Sequence, residues 1–203
     1  MPASSSRALA VPAPQGPHTL ADAIVDLVAR VPPSGHQASA QPDAQALAVA
    51  RAAARQASLV AGSMSLPPGF FGWLTLLPEL LAVWRLQAQM VADIAALYGK
   101  TPGLTREQML YCLFKHLGAQ LFRDVAVRTG ERLVFQQATL SALQSLAHKL
   151  GIKISQGLVA QGASRFVPLL GALGVGTYAY FDTQRVARTA MQLFTQELTV
   201  DAG

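Results

Sequence analysis

The sequence predicts an all-α protein: a compact multi-helix bundle with long C-terminal helices and a disordered N-terminal arm. Three observations carry this. Apolar residues recur at helical spacing through most of the chain. Hydrophobic residues make up 51% of the 203 positions and charged residues 13%, against about 25% charged in an average globular domain. Such a balance excludes a wholly disordered chain. Eleven of the twelve prolines lie at or before Pro102, leaving a long C-terminal stretch open to helix. No segment reads as a convincing strand, and no repeat is visible.

Residues 1–18 carry Pro2, Pro12, Pro14 and Pro17 among Ala and Ser and read as a disordered tail. Thr19 opens a short helix with Leu20, Ile24, Leu27, Val28 and Val31 at helical spacing, and Pro32-Pro33 ends it. Residues 32–42 read as a linker by composition, so 19–42 form a short helix and linker ahead of the main domain, 43–198. This first helix is expected to be a piece of the body, the alternative being a detached recognition segment. Asp43 suits the N-cap of an Ala-rich helix reaching about Ala61. The turn that follows holds Phe70, Phe71, Trp73 and Leu74 beside Pro67-Pro68-Gly69. So apolar a turn needs cover from protein, lipid or a partner, and these four residues are the candidate membrane or partner surface.

A helix is predicted over 78–98, with Pro78 in its first turn and Gly99 just past its end. Its large apolar residues, among them Leu80, Val83, Trp84, Met90, Val91, Ile94 and Leu97, fill an arc of about 200°, twice what a surface helix needs. It should therefore be enclosed on more than one side. Thr105-Arg106-Glu107-Gln108 is a capping box, and a long helical stretch is expected from it to about Leu150, with Gly118 and Gly130 as points that kink or divide it. Gly151 should end that stretch, a short segment should follow, and a last helix should run from Pro168 to about Leu198. Residues 199–203 form a tail.

Function classes narrow by absence of pattern. One cysteine, Cys112, excludes an internal disulfide, and no apolar h-region follows Met1. Both suit a reducing, cytosolic setting. The net charge is +5. Between Arg85 and Arg165 ten basic residues face four acidic ones, a basic middle suited to anionic lipid. Aromatics are few, at 7%, and do not interleave with the cations, so no nucleic acid is expected. A transmembrane span is disfavoured: residues 166–181 are only sixteen charge-free positions, and Arg85 and Asp93 interrupt the 78–98 helix.

Gly171-Ala172-Leu173-Gly174-Val175-Gly176 does not match a dinucleotide loop; close packing of helices is the better reading. Cys112 and His116 share a helix face, but two metal ligands do not make a site, and a buried thiol beside a half-exposed imidazole is expected instead. No G-x-S-x-G elbow is present. Catalytic residues, cofactors and metals are all expected to be none. Two polar stripes stand out on apolar helices: Arg85, Gln89 and Asp93, and Tyr178, Asp182, Arg185 and Thr189. Buried polar groups need partners. The stripes are expected to pair with each other or with Arg123, Asp124 and Arg128 in one buried network.

Residues 86–99, ending Ile94-Ala95-Ala96-Leu97-Tyr98-Gly99, resemble the helix ending in IA-x-x-YG of EcsC-like proteins. Residues 165–174, with Val167-Pro168-Leu169-Leu170-Gly171-Ala172-Leu173-Gly174, resemble that family's entry into its last helix. The likeness covers about residues 55–195. It implies a bacterial, all-helical, membrane-associated protein with no agreed activity, in a family named for a component encoded beside an ABC transporter. It supplies no catalytic residue to carry over.

The expectation is thus a non-enzymatic accessory or scaffolding protein, cytoplasmic and peripheral to the inner membrane, linked to transport or secretion. Its partner would be a membrane surface or membrane protein, with a second copy of the chain also admissible. The alternative is a soluble helical binding module that holds a partner helix or an apolar ligand.

Overall fold

The computed structural model describes residues 20–64, 72–129, 132–161, 168–195 and 200–201. Six α-helices dominate the described residues: α1 (Leu20–Ala29), α2 (Pro42–Met64), α3 (Gly72–Leu97), α4 (Arg106–Phe114), α5 (Leu140–Gln161) and α6 (Pro168–Thr195). The fold is all-α and compact. The arm at 1–18 lies outside the described residues.

The sheet is small. β1 (Ala126–Thr129) pairs antiparallel with β2 (Arg132–Gln136), and β2 pairs parallel with the two-residue β3 (Val200–Asp201). This corrects the expected helical stretch from 105 to 150: it divides near Gly118 and Gly130, two glycines expected to kink or divide it, but the piece between them is not helix throughout. α4 ends at Phe114, and 3-10 turns at Lys115–Leu117 and Ala119–Phe122 lead into the hairpin. The cause is local. Val127, Thr129, Val134 and Phe135 suit a pleated surface better than a helix, and Thr129 pairs with Arg132 across a two-residue connection that opens with Gly130. Phe135 is fully buried and fixes the hairpin to the body.

α3 is the central helix, packed against α1, α2, α4 and α6. Val83, Trp84, Ala88, Met90, Val91, Ala92, Ile94, Ala95 and Leu97 are all buried, so protein covers its wide apolar arc. Leu80–Leu97 is long and apolar enough to cross a membrane, yet 61% of that window is buried inside the body. Its apolarity is accounted for by the core. α3 also starts earlier than predicted, at Gly72, which places Pro78 inside the helix instead of in its first turn. Without an N–H, Pro78 cannot bond the Leu74 carbonyl. The C-terminus matches the prediction. Gly99 adopts φ 69°, its N–H bonds Ala96 O at 2.8 Å, and Lys100 N bonds Ala95 O at 2.8 Å. That is a Schellman stop.

α2 begins one residue before the predicted cap, at Pro42, and runs to Met64. Its buried stripe is alanine alone: Ala46, Ala50, Ala53, Ala54, Ala57 and Ala61. Small side chains let α2 lie close along α6, and Gly176 is a point of close approach. A Cβ there would stand 3.0 Å from Ser58 O. Close packing is therefore the role of Gly176; Gly174 faces open space.

Two more expectations need correction. Gly151 does not stop a helix: it lies inside α5, against Leu20 and Ala21 of α1. The stretch 32–42 is not a free linker. Ser34 Oγ donates to Asp93 Oδ1 at 2.7 Å, and Ser39 N donates to Leu97 O at 2.9 Å. α1 itself inserts Ile24 and Val28 into the main core. The predicted capping box is present, with Gln108 N on Thr105 Oγ1 at 3.3 Å and Thr105 N on Gln108 Oε1 at 3.0 Å.

Candidate functional site

Where α2, α3, α4, α5 and α6 converge, an apolar cavity of about 140 Å³ opens. Its walls are Ala61, Leu80, Val83, Trp84, Phe114, Ile154, Val175 and Ala179, and its polar edge is His116, Lys153, Tyr178 and Asp182. Trp84 and Phe114 meet edge to face, with ring centroids 5.2 Å apart. That arrangement is the preferred one for aromatic pairs, and it leaves the cavity a rigid wall.

Asp182 is the pivot. It is only 7% exposed although charged. Oδ2 accepts from Gln87 Nε2 at 2.9 Å, and the same amide donates to Thr183 Oγ1 at 3.1 Å. Thr183 in turn donates to Ala179 O at 2.8 Å. Oδ1 lies 2.9 Å from His116 Nε2. That contact is a short ion-pair distance, not an aligned hydrogen bond: Asp182 Oδ1, His116 Nδ1 and Gln87 Oε1 are all buried without a hydrogen-bond partner among the described residues. Three elements are thereby tied together: α3 through Gln87, the Lys115–Leu117 turn through His116, and α6 through Asp182 and Thr183.

Chemically this is a polar lock beneath an apolar chamber. A general base needs a ring nitrogen within reach of the proton it takes. Here Nε2 of His116 faces Asp182 and Nδ1 is sealed from solvent. Tyr178 stands at the lip, half exposed. Burial raises its phenol pKa, the Asp182 charge adds to the rise, and Arg185 opposes it. The phenol therefore stays protonated at neutral pH, a donor at the cavity mouth.

The single buried network expected from the two polar stripes does not form among the described residues. The α3 stripe turns to the 32–36 segment: Gln89 Nε2 donates to Pro33 O and to Asp93 Oδ1, both at 3.0 Å. Arg85 and Arg185 are exposed, as are Arg123 and Asp124. Asp124 meets Lys149 at 3.9 Å with both side chains in water, a contact worth little. The physical reason is the hairpin, which places Arg123 and Asp124 in a surface turn and Arg128 on β1; the Arg128 side chain lies outside the described residues. Of the nine residues expected in the network, Tyr178 and Asp182 line the cavity. Phe70 and Phe71 lie outside the described residues, as do the side chains of Trp73 and Leu74.

Gln87 and the contact of His116 with Asp182 are not legible in the local spacing. Cys112 is buried as expected, its thiol pKa pushed up by burial and only partly drawn back by Lys115, while the imidazole expected to be half exposed is 16% exposed. No three His, Cys, Asp or Glu residues gather to hold a metal among the described residues. The available signal for Gln87 was an amide on the apolar face of α3, level with Val83, Val91 and Ile94 and away from the Arg85–Gln89–Asp93 stripe.

No protein-family model matches the chain, and neither a curated protein nor a solved structure does so. The resemblance of residues 86–99 and 165–174 to EcsC-like proteins thus rests on those residues alone.

Proposed function

We propose that this protein is a non-enzymatic helical binding module that takes a small apolar group into the cavity between Trp84 and Ala179. The observation that supports the reading is that cavity: a preformed chamber of about 140 Å³ walled by aliphatic and aromatic side chains, with its polar groups gathered at one edge. Ligand pockets have this division of labour. The size suits one aromatic ring or a short branched chain, because an apolar cavity of about 150 Å³ holds benzene. The occupant is then the end of an apolar ligand or one side chain of a partner helix. The test uses toluene and a Trp73→Phe protein, in which Trp84 is the sole indole. Saturable change in Trp84 emission with a rising Tm is expected, both lost in Ala179→Leu, which fills the chamber. Unchanged emission and Tm at saturating toluene would refute the reading.

A second reading, a peripheral accessory protein at the cytoplasmic membrane face, is favoured by one observation. α6 exposes Tyr178 and Phe181, followed by Arg185 and Arg188 on the same face. Aromatics beside cations suit the interface of an anionic membrane. The likeness to EcsC-like proteins would add the link to transport. This reading expects sedimentation with anionic liposomes at low salt and partial release at high salt; a protein left in the supernatant at low salt rules it out.

A further inference from the structure

Two turns further along α6, beyond the Lys115–Leu117 turn, lies a second and larger cavity of about 560 Å³. It is bounded by α4, the Ala119–Phe122 turn, the β1–β2 hairpin and the C-terminal half of α6. The volume falls within the range of about 300–1,000 Å³ that small-molecule sites occupy.

Its floor is aromatic and rigid. Tyr111 meets Phe122 and Phe135 edge to face, each with ring centroids 5.4 Å apart. Phe122 and Leu193 are fully buried, so the floor cannot collapse without disturbing the core. Among the described residues that line the cavity, none is a carboxylate and Lys115 is the only cation. Its ammonium sits 5.2 Å from the centre of the Tyr111 ring. No carboxylate among the described residues pairs with it. A cation held over a ring face gains from the ring's quadrupole, yet its N–H donors stay free for an anion. Thr189 has already given its hydroxyl proton to Arg185 O at 3.1 Å, which leaves the Gln192 amide as the second polar group at the rim.

We propose that this cavity is a binding site for a small amphiphilic organic anion, a carboxylate or sulfonate on an apolar body, with Lys115 holding the anionic group and Ala126, Leu133 and the Tyr111 ring the body, over the floor of Phe122 and Leu193. It is separate from the chamber beside Asp182, and neither assignment depends on the other. An apolar body with a single anionic head is common to aromatic acids and to medium-chain fatty acids, and the experiment separates the two.

The probes are 1-anilinonaphthalene-8-sulfonate and its uncharged analogue N-phenyl-1-naphthylamine, titrated by fluorescence against the full-length chain. Lys115→Met keeps the aliphatic stem and removes the charge. It should weaken the sulfonate about tenfold, the effect of losing one hydrogen bond to a charged group, and leave the neutral analogue within about twofold. Lys115→Arg should bind the sulfonate like the wild type, and Ala119→Phe, which blocks the rim, should weaken both probes. Ala179→Leu, which fills the other chamber, should change neither. Displacement of the sulfonate by 2-naphthoate assigns an aromatic body, displacement by decanoate an aliphatic one, and displacement by neither overturns the proposal. Near-UV circular dichroism checks that each variant is folded, since partly folded states also bind the dye. Should Lys115→Met not fold, the wild type decides: sulfonate affinity must fall between about 20 mM and 500 mM NaCl while that of the neutral analogue does not. Equal sulfonate binding by folded wild type and Lys115→Met, or loss of binding in Ala179→Leu, overturns the site.

Discussion

Replacing Asp182 by alanine tests whether the polar lock holds the helices together. In the wild type its carboxylate is 7% exposed, accepts from Gln87 at 2.9 Å and stands 2.9 Å from His116 Nε2. Truncation leaves Gln87 Nε2 with Thr183 Oγ1 as its remaining acceptor. His116 is left with no partner. Loss of the Gln87 hydrogen bond to the carboxylate costs about 1.5–3 kcal/mol. The His116 side chain is 16% exposed, so water recovers part of its loss. The expected total is about 2–4 kcal/mol. For a chain of this length each kcal/mol moves Tm by about 2–4 °C, so thermal denaturation should show a fall of about 5–15 °C. Asp182→Asn keeps the shape and an oxygen facing Gln87, and should cost only about 1 kcal/mol. The double variant Gln87→Ala with Asp182→Ala should lose less than the two single losses summed, because both remove one hydrogen bond. A Tm for Asp182→Ala within about 1 °C of wild type, or strict additivity in the cycle, would refute the reasoning.

Other predictions follow from single features. Gly176→Ala should destabilise by about 1–2 kcal/mol, because its methyl meets the Ser58 backbone at 3.0 Å and overpacking outweighs the helix propensity gained; Gly174→Ala, in open space, should instead stabilise by up to about 1 kcal/mol, and urea titration separates the signs. Tyr98 donates to Asp43, and burial, then that hydrogen bond and the Asp43 charge, push its phenol up to about 12 from 10. A pKa raised in the folded state contributes stability below pH 10 that is lost as pH climbs towards 12, so Tyr98→Phe should flatten this arm of the stability–pH curve; an arm unchanged in the variant contradicts the assignment. Cys112 is fully buried with its thiol pKa raised. Its labelling by Ellman's reagent should track unfolding; rapid labelling of the native protein would be the contrary result.

Legibility in the sequence followed the range of the interactions. Thr105 with Gln108 and the Gly99 stop are set by neighbours within a few positions, and both were readable. The breadth of the α3 apolar arc correctly implied enclosure, while what enclosed it depends on α1, α2, α4 and α6 packing around it. The hairpin was missed because Val125 prolonged a helical period into residues whose β-branched and aromatic side chains argued for strands. Gly151 looked like a stop because its close neighbours, Leu20 and Ala21, belong to a helix far away in the chain. The site was legible in half. Asp182 on an apolar helix announced a need for partners, but Gln87 stands 95 positions away and no periodicity connects them. The two polar stripes do not pair for the same reason: Gln89 and Asp93 turn to Pro33 and Ser34, and Asp182 turns to Gln87 and His116.

The most direct trial of the account is a crystal structure under xenon pressure. A xenon atom between Trp84, Val83 and Ala179, absent from an Ala179→Leu crystal, is the predicted density. An unpressurised chamber already closed by those walls, or one that stays empty of xenon, would contradict it.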